Sequence, residues 1–469
     1  MKRMTMKTYI YFIALLLTVT ACSNFLDETP KGTLIPKTIN DFGMILDSYE
    51  SGDNKIACGN TLTMAMTDDV KIPSSKVSVY YNWGIRSFCW QDYIFTQNEN
   101  DEVYNSFYHV IYVCNYILNN IETAEEGGLF KRKYVEGAAH FHRAYAYFNL
   151  INLYARHYDA KTSKTDLGVP LLLEADIDLL QKRATVEEVY NCILDDLAAA
   201  DTLLDNEVEY RFRASKAAVG AFKARVHLYR GEYKACLKAC RDTREMIDEP
   251  ADYNELEKRS GNPDRGIIGL PRYQWEMPDV ICYKGEGRHP DYHGDYNLSD
   301  DLMILFNKDT DLRWQLFVST YDYNYGEPDT DEPRIASFVY PNNNGCNIGE
   351  VYITEAEAAV RENDIDGALD MLNALAVKRH VEGTYEDVTE RDPEKLLELI
   401  LKERRREQMF KGTRWFDLKR LNKEERFQKT VVHELNGKTY TLEPNSNRYV
   451  LPIPLKAIAA NNLLEQNPR

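Results

Sequence analysis

Two stretches of this chain concentrate flat aromatic side chains among polar residues. Val79 to Phe95 holds Tyr80, Tyr81, Trp83, Trp90 and Tyr93, and the span from Pro250 to Gly349 holds Tyr253, Tyr273, Trp275, Tyr283, Tyr292, Tyr296, Trp314, Tyr321, Tyr323, Tyr325 and Tyr340. A Trp or Tyr ring offers a broad apolar face with an N–H or O–H at its edge. Asn, Asp and Arg supply directional donors and acceptors around it. That combination suits a ligand with apolar faces and hydroxylated rims, held without covalent chemistry. Trp83, Trp275, Tyr80, Tyr81, Tyr273 and Tyr283 are the candidate stacking residues, and Asn82, Arg86 and Asp291 the candidate polar ones. Core packing competes for every single ring. Trp314 and Phe317 in particular fit a helix face beginning near Ser299.

Constellations that break bonds are scarce. The chain has no GxSxG, HExxH or phosphate-cradling Gly-rich loop. His289-Pro290-Asp291-Tyr292-His293 brings two imidazoles close, but Pro290 opposes the helical spacing of a zinc pair, so a surface loop is expected. Cys236 and Cys240 are one helical turn apart without a nearby His and read as small buried hydrophobes. Asn363 to Gly367 mimics a calcium loop, but the position six after Gly367 is Asn373 and not Glu, which favours a turn between helices. No cofactor is implied, and calcium held by loop carboxylates stays an open alternative. A glycosidase needs two carboxylates at a defined separation, which spacing along the chain does not reveal.

One further charged cluster stands out near the end. Glu403 and Glu407 lie in Glu403-Arg404-Arg405-Arg406-Glu407, on a long helix expected from Pro393 to Phe410 with Gly412 as its stop. Arg414, Asp417 and Arg420 follow at spacings of three, so neighbouring members can meet on one helical turn, and Glu403 and Glu407 can receive these arginines. The cluster is read as a structural ion-pair network, with an active site as the alternative.

The elements that position these residues are mainly helical. Apolar stripes mark Val103 to Ile121 and Lys131 to Tyr154, and Thr185 with Glu188 has capping-box spacing ahead of Ile193, Leu197 and Ala200. Ala214 to Arg230 and Tyr233 to Met246 are expected as two helices around Gly231. Ala224, Gly231-Glu232-Tyr233 and Cys236 recur in spacing as Ala356, Asn363-Asp364-Ile365 and Ala368. Small residues there let antiparallel helices approach closely, as in the tetratricopeptide repeat. The fold class is therefore mainly α: a tetratricopeptide-like helical repeat scaffold with long irregular loop-rich insertions at about 58–98 and 250–349. Loops of that length in a compact protein are usually functional.

The N-terminus fixes the compartment. Lys2, Arg3 and Lys7 precede an apolar run from Tyr9 to Val19, and Val19-Thr20-Ala21-Cys22 resembles a lipobox. Residues 1–21 are expected as a lipoprotein signal peptide, 22–36 as a leader lipidated (palmitate included) at Cys22, and 37–469 as one domain. The run is too short to span a bilayer, which takes about 20 residues. The chain of 469 residues is 44% hydrophobic and 12% aromatic, enough for a large core, and carries a formal net charge of −17. Removing Lys2, Arg3 and Lys7 gives −17 − 3 = −20. Such an acidic body argues against nucleic acid or anionic lipid as partners. The other eight cysteines show no CxxC and no spacing that assigns pairs.

The tail residues Glu403 to Glu407, Gly412, Arg414, Asp417 and Arg420, the ending Leu451-Pro452-Ile453-Pro454 with Asn461 and Gln466-Asn467-Pro468, and Cys22-Ser23-Asn24-Phe25-Leu26-Asp27 together resemble the SusD/RagB nutrient-binding outer-membrane lipoproteins. Arg143-Ala144-Tyr145 with Gly168-Val169-Pro170 and the block from Thr185 through Asp196 extend the likeness over nearly the whole mature chain. The resemblance implies a non-catalytic, lipid-anchored protein on the outer membrane facing the exterior. It implies capture of a glycan or other oligosaccharide nutrient for a SusC-like TonB-dependent transporter, with polysaccharide utilization as its role. A surface glycoside hydrolase and a transporter lid without its own ligand site are the alternatives. The family has no fixed ligand motif, so no binding residue is carried over from it.

Overall fold

The computed structural model describes residues 36–48, 56, 58–59, 62–74, 77, 82–259, 265–285, 296–321, 333–336 and 343–469. Its frame is an array of helices stacked largely in chain order. Glu102–Asn120 packs on Arg132–Tyr154, which packs on Val186–Leu203; Lys216–Arg230 pairs with Tyr233–Arg244, and Ile348–Arg361 with Ile365–Ala376 and Pro393–Glu407. Local chemistry starts these helices where their caps stand. Thr185 and Glu188 form a reciprocal capping box, while Ser215, Asp364 and Asp392 each accept an amide at the start of their helix. Gly231 ends Lys216–Arg230 in the left-handed region at φ 71°, where a side chain is strained, and so permits the tight turn into Tyr233–Arg244.

The repeat spacing becomes close packing. Ala224, Cys236, Ala356 and Ala368 are all buried at the facing surfaces of the two helix pairs. Cys240 is buried on the same helix as Cys236, and Asn363 at φ 62° makes the second inter-helix turn. The helix Arg132–Tyr154 is buried on every side over its C-terminal half, from Phe141 to Tyr154, as befits the centre of a core.

Several expectations change in the structure. The long tail helix ends at Glu407, three residues early, because Gln408 already leaves helical geometry and Phe410 is left-handed at φ 55°. Gly412, at φ 77°, belongs to the turn into the next helix, Arg414–Leu421. The stretch read as irregular near residue 80 contains a helix, Asn82–Phe88. Trp314 and Phe317 do not continue a helix from Ser299. Ser299 caps Asp300–Met303, and Asp311 caps a separate helix, Leu312–Phe317. The region 250–349 is not only loop. Val70–Lys71, Asn297–Leu298, Arg334–Ile335 and Val318–Ser319 lie side by side in that order as an antiparallel sheet. A second core of Tyr253, Leu298, Phe306, Trp314 and Phe317 forms beside it, so several of its aromatics are packing residues.

A hairpin, Val431–Leu435 with Lys438–Leu442, closes the tail region. Asn436 and Gly437 both have positive φ, 52° and 73°, which makes the two-residue turn that suits strand twist. The closing segment is stitched down by its amides. Gln466 exchanges two hydrogen bonds with the Ile453 backbone, and the Asn467 amide donates to the carbonyls of Tyr154 and Leu451.

Candidate functional site

A short helical turn, Gln274–Glu276, presents two candidate rings side by side. Tyr273 and Trp275 stack with centroids 4.4 Å apart and planes 13° apart. Trp275 meets Phe212 edge to face at 5.6 Å and Tyr283 at 6.2 Å, and Phe212 stacks on Tyr210 at 5.1 Å, 5° from parallel. Five rings thus form one continuous surface group. Its two ends face solvent, with Tyr273 38% and Tyr210 40% exposed. Burial pushes the Tyr283 phenol up to about 12, so its O–H stays intact as a donor.

The backbone makes this group rigid. The Arg211 guanidinium donates to the carbonyls of Met277 and Pro278, and the Tyr283 amide donates to the Arg211 carbonyl. These bonds clamp the segment carrying Tyr210 and Phe212 onto the segment carrying Trp275. Arg213, fixed by Asp47, lies over Tyr210 at 5.1 Å, and Arg272 lies over Tyr273 at 5.3 Å. Tyr210 and Phe212 were absent from the sequence-based set. Their signal was the alternation Tyr210-Arg211-Phe212-Arg213 just ahead of the Ser215 helix cap.

The remaining candidates sit elsewhere. Tyr80, Tyr81 and Asp291 lie outside the described residues. Trp83 is half-buried and packs on Phe95, with centroids 5.8 Å apart, and Asn82 beside it is exposed. Arg86 is engaged in holding its own loop. It donates to Glu99 at 2.6 Å and to the Ile94 carbonyl, and that guanidinium brings the Glu99 carboxyl down to about 2.

The charged tail cluster is buried, and its partners differ from the expected ones. Glu403 receives Arg313 at 2.6 Å and Arg406; Glu407 receives Arg379 at 3.0 Å and Arg313 at 3.2 Å. Neither pairs with Arg414 or Arg420. Arg414 instead forms a two-pronged pair with Asp68, 2.8 Å at both prongs, and Asp417 receives Arg404 at 3.0 Å and Arg420 at 2.7 Å. The reason is directional. Successive side chains of a helix point about 100° apart, so the three arginines of the motif face three different bodies. Arg404 reaches Asp417 and Thr354 in the helical array, Arg405 reaches Asp69, and Arg406 reaches the Leu305 carbonyl. Gly349 leaves room for this network, because a Cβ there would stand 2.1 Å from a Glu407 carboxylate oxygen. Burial alone would raise these carboxyls. The surrounding guanidinium groups outweigh it, holding Glu403 and Asp417 well below the usual range and Glu407 at about 2. Groups this firmly ionised and paired do not shuttle protons at neutral pH.

A cleft of about 670 Å³ opens between Val70–Lys71 and the outer edge of Val431–Leu435. Its walls mix charged residues, Asp68, Lys71, Asp300, Asp301, Lys429 and Glu434, with apolar ones such as Ile72, Phe88 and Val432, and include none of the candidate ligand residues. Lys429 bridges it, pairing with Asp68 and Asp301. Among the described residues, no group of three or more His, Cys, Asp or Glu side chains is placed to hold a metal, and no helix is long and apolar enough to cross a membrane.

Comparison with known proteins gives a consistent result. Residues 24–228 match a family model described as starch-binding and associating with the outer membrane, and residues 346–469 match the SusD family model. Two curated relatives from Formosa agariphila are similar: SusD-like protein P38, 25% identical over 78% of each chain, and SusD-like protein P2, 24% identical over 99% of this chain and 100% of the relative. Among solved structures, a SusD superfamily protein from Bacteroides thetaiotaomicron superposes with a TM-score of 0.69 at 22% identity, covering 92% of this chain and 100% of its own. A SusD-like carbohydrate binding protein from Bacteroides vulgatus does so with a TM-score of 0.64 at 20% identity, covering 91% and 97%. With the helical repeat frame and the tail motif in place, the chain belongs to the SusD/RagB-like family.

Proposed function

We propose that this protein is a non-catalytic, cell-surface glycan receptor that passes its ligand to a SusC-like TonB-dependent transporter. The observation that carries the reading is the parallel Tyr273–Trp275 pair, fixed on a short turn and open to solvent at one end. Pyranose rings present apolar C–H faces of that size, and the arginines around the stack supply donors for hydroxyl rims. Membership of a family described as starch-binding and outer-membrane-associated supports the same chemistry. In this reading Cys22 carries the lipid that holds the chain at the outer membrane, facing the exterior. More than one acyl chain is required for stable anchoring. In this reading the Trp83–Phe95 pair with Asn82 is a second part of the ligand surface, and Tyr80, Tyr81 and Asp291 are further ligand candidates on the sequence alone.

Affinity electrophoresis against a panel of neutral polysaccharides tests the proposal. The wild-type chain is expected to be retarded by at least one, and the double variant Trp83→Ala, Trp275→Ala to migrate freely while unfolding at the wild-type temperature. Unchanged retardation of the double variant refutes the site. Sustained release of reducing ends by the wild type refutes the non-catalytic reading in favour of a glycoside hydrolase. Absence of any retardation, with nutrient uptake still requiring the protein, supports a transporter lid.

A further inference from the structure

Residues 171–182 form a loop that is fastened at both ends yet turns its apolar side chains outward. The Tyr147 hydroxyl donates to the Leu172 carbonyl and accepts from the Leu172 amide, both at 2.7 Å. Asn115 donates to that same carbonyl at 2.8 Å, Asn119 accepts the Ala175 amide at 3.1 Å, and Asn461 from the tail donates to the Gln181 carbonyl at 2.8 Å. Between these anchors Leu173 is 48%, Ile177 82% and Leu180 50% exposed. Tyr112, on the same helix face as Asn119, and Leu463, two residues beyond Asn461, are also exposed, at 38% and 40%. Exposed apolar side chains clustered on one ordered loop are the kind of surface that proteins use for interaction.

Charge decides which occupant it fits. Glu174, Asp176 and Asp178 are exposed among these apolar residues, and none has an ion-pair partner among the described residues. Anionic lipid is repelled by such a surface. A second copy docked two-fold would set the same three carboxylates against themselves. The complement is a protein surface with an apolar socket ringed by Lys or Arg.

We propose that the 171–182 loop is the docking face by which this chain holds its transporter, with Ile177 as the central anchor and Glu174, Asp176 and Asp178 as the charged rim. This rests on the delivery reading above. The test uses the full lipoprotein, tagged and solubilised with its transporter from native membranes in mild detergent. Two variants are compared with wild type: Ile177→Asp with Leu180→Asp, and Glu174→Lys with Asp176→Lys and Asp178→Lys. Both are expected to lower the co-purified transporter by about tenfold or more, with glycan retardation and unfolding temperature unchanged. High salt is expected to weaken the wild-type complex. Wild-type yields of complex from both variants overturn the docking face alone. A wild-type preparation without transporter overturns the delivery reading and this inference with it. Two further results overturn the inference in favour of another occupant: Ile177-dependent self-association by light scattering, and Ile177-dependent flotation of the Cys22→Ala chain with phosphatidylcholine vesicles.

Discussion

Glu357 offers the sharpest test of how the helical array is held to its tail. It is fully buried and accepts both prongs of Arg420, at 2.5 and 2.8 Å, together with Arg361 at 3.0 Å. Burial works against its ionised form, but Arg420 and Arg361 outweigh burial and bring the carboxyl from its ordinary 4.5 to about 2. By linkage, that displacement corresponds to about 3 kcal/mol of stability at neutral pH. The sign follows from a lowered folded-state pKa. The contribution is complete above the unfolded value and is lost as pH falls through the folded one. Glu357→Gln keeps the volume and removes the charge, leaving Arg420 with Asp417 and Arg361 with Glu424. Breaking one member of a buried set costs about 3–5 kcal/mol. The assay is urea unfolding of both chains at pH 7 and pH 4. Wild type is expected to lead by about 3 kcal/mol or more at pH 7 and by about 1 kcal/mol less at pH 4. A gap below about 1 kcal/mol at pH 7, or one that does not narrow with acid, refutes the argument.

Other perturbations report on separate parts. The buried Lys419 ammonium donates to the carbonyls of Asn152 and Ala155, and burial lowers it to about 7. The unfolded chain therefore holds more protons than the folded one above that pH, and stability rises with alkali. Between pH 7 and pH 9 wild type is expected to gain about 2–3 kcal/mol relative to Lys419→Met, and parallel pH profiles would contradict this. Gly231→Ala puts a side chain at φ 71° and is expected to cost about 1–2 kcal/mol in denaturant unfolding, with no change in glycan retardation. Cys22→Ala is expected to abolish incorporation of labelled palmitate and release the chain from the membrane fraction; persistent labelling would place the lipid elsewhere.

The helices were legible because a packed stripe recurs every turn over many residues. Phe107, Val110, Ile111 and Cys114 are all buried where the periodicity put them, and Thr185 with Glu188 caps its helix as spaced. The four-stranded sheet was not legible. Its strands are two residues each, too short to show an alternation, and are drawn from segments far apart in the chain. The tail motif announced charge but not direction. Arg414 finds Asp68 across 346 positions, and Arg313 and Arg379 come from regions that carry no mark of it. The ring platform was half legible. Tyr273, Trp275 and Tyr283 lie close in sequence and in space, whereas Tyr210 and Phe212 come from a distant segment that Arg211 clamps beside them through its guanidinium and its carbonyl.

The three neighbouring arginines at 404–406 give the molecule the plan of a hub with spokes. Each spoke ends on a different body, the Arg404 fastening fully buried and those of Arg405 and Arg406 partly so. Stretches strung between fastenings carry little of the frame's load. Grafting such stretches from one relative onto another, with Asp68, Arg313 and Arg379 retained, is therefore a route to receptors of altered taste on an unaltered chassis.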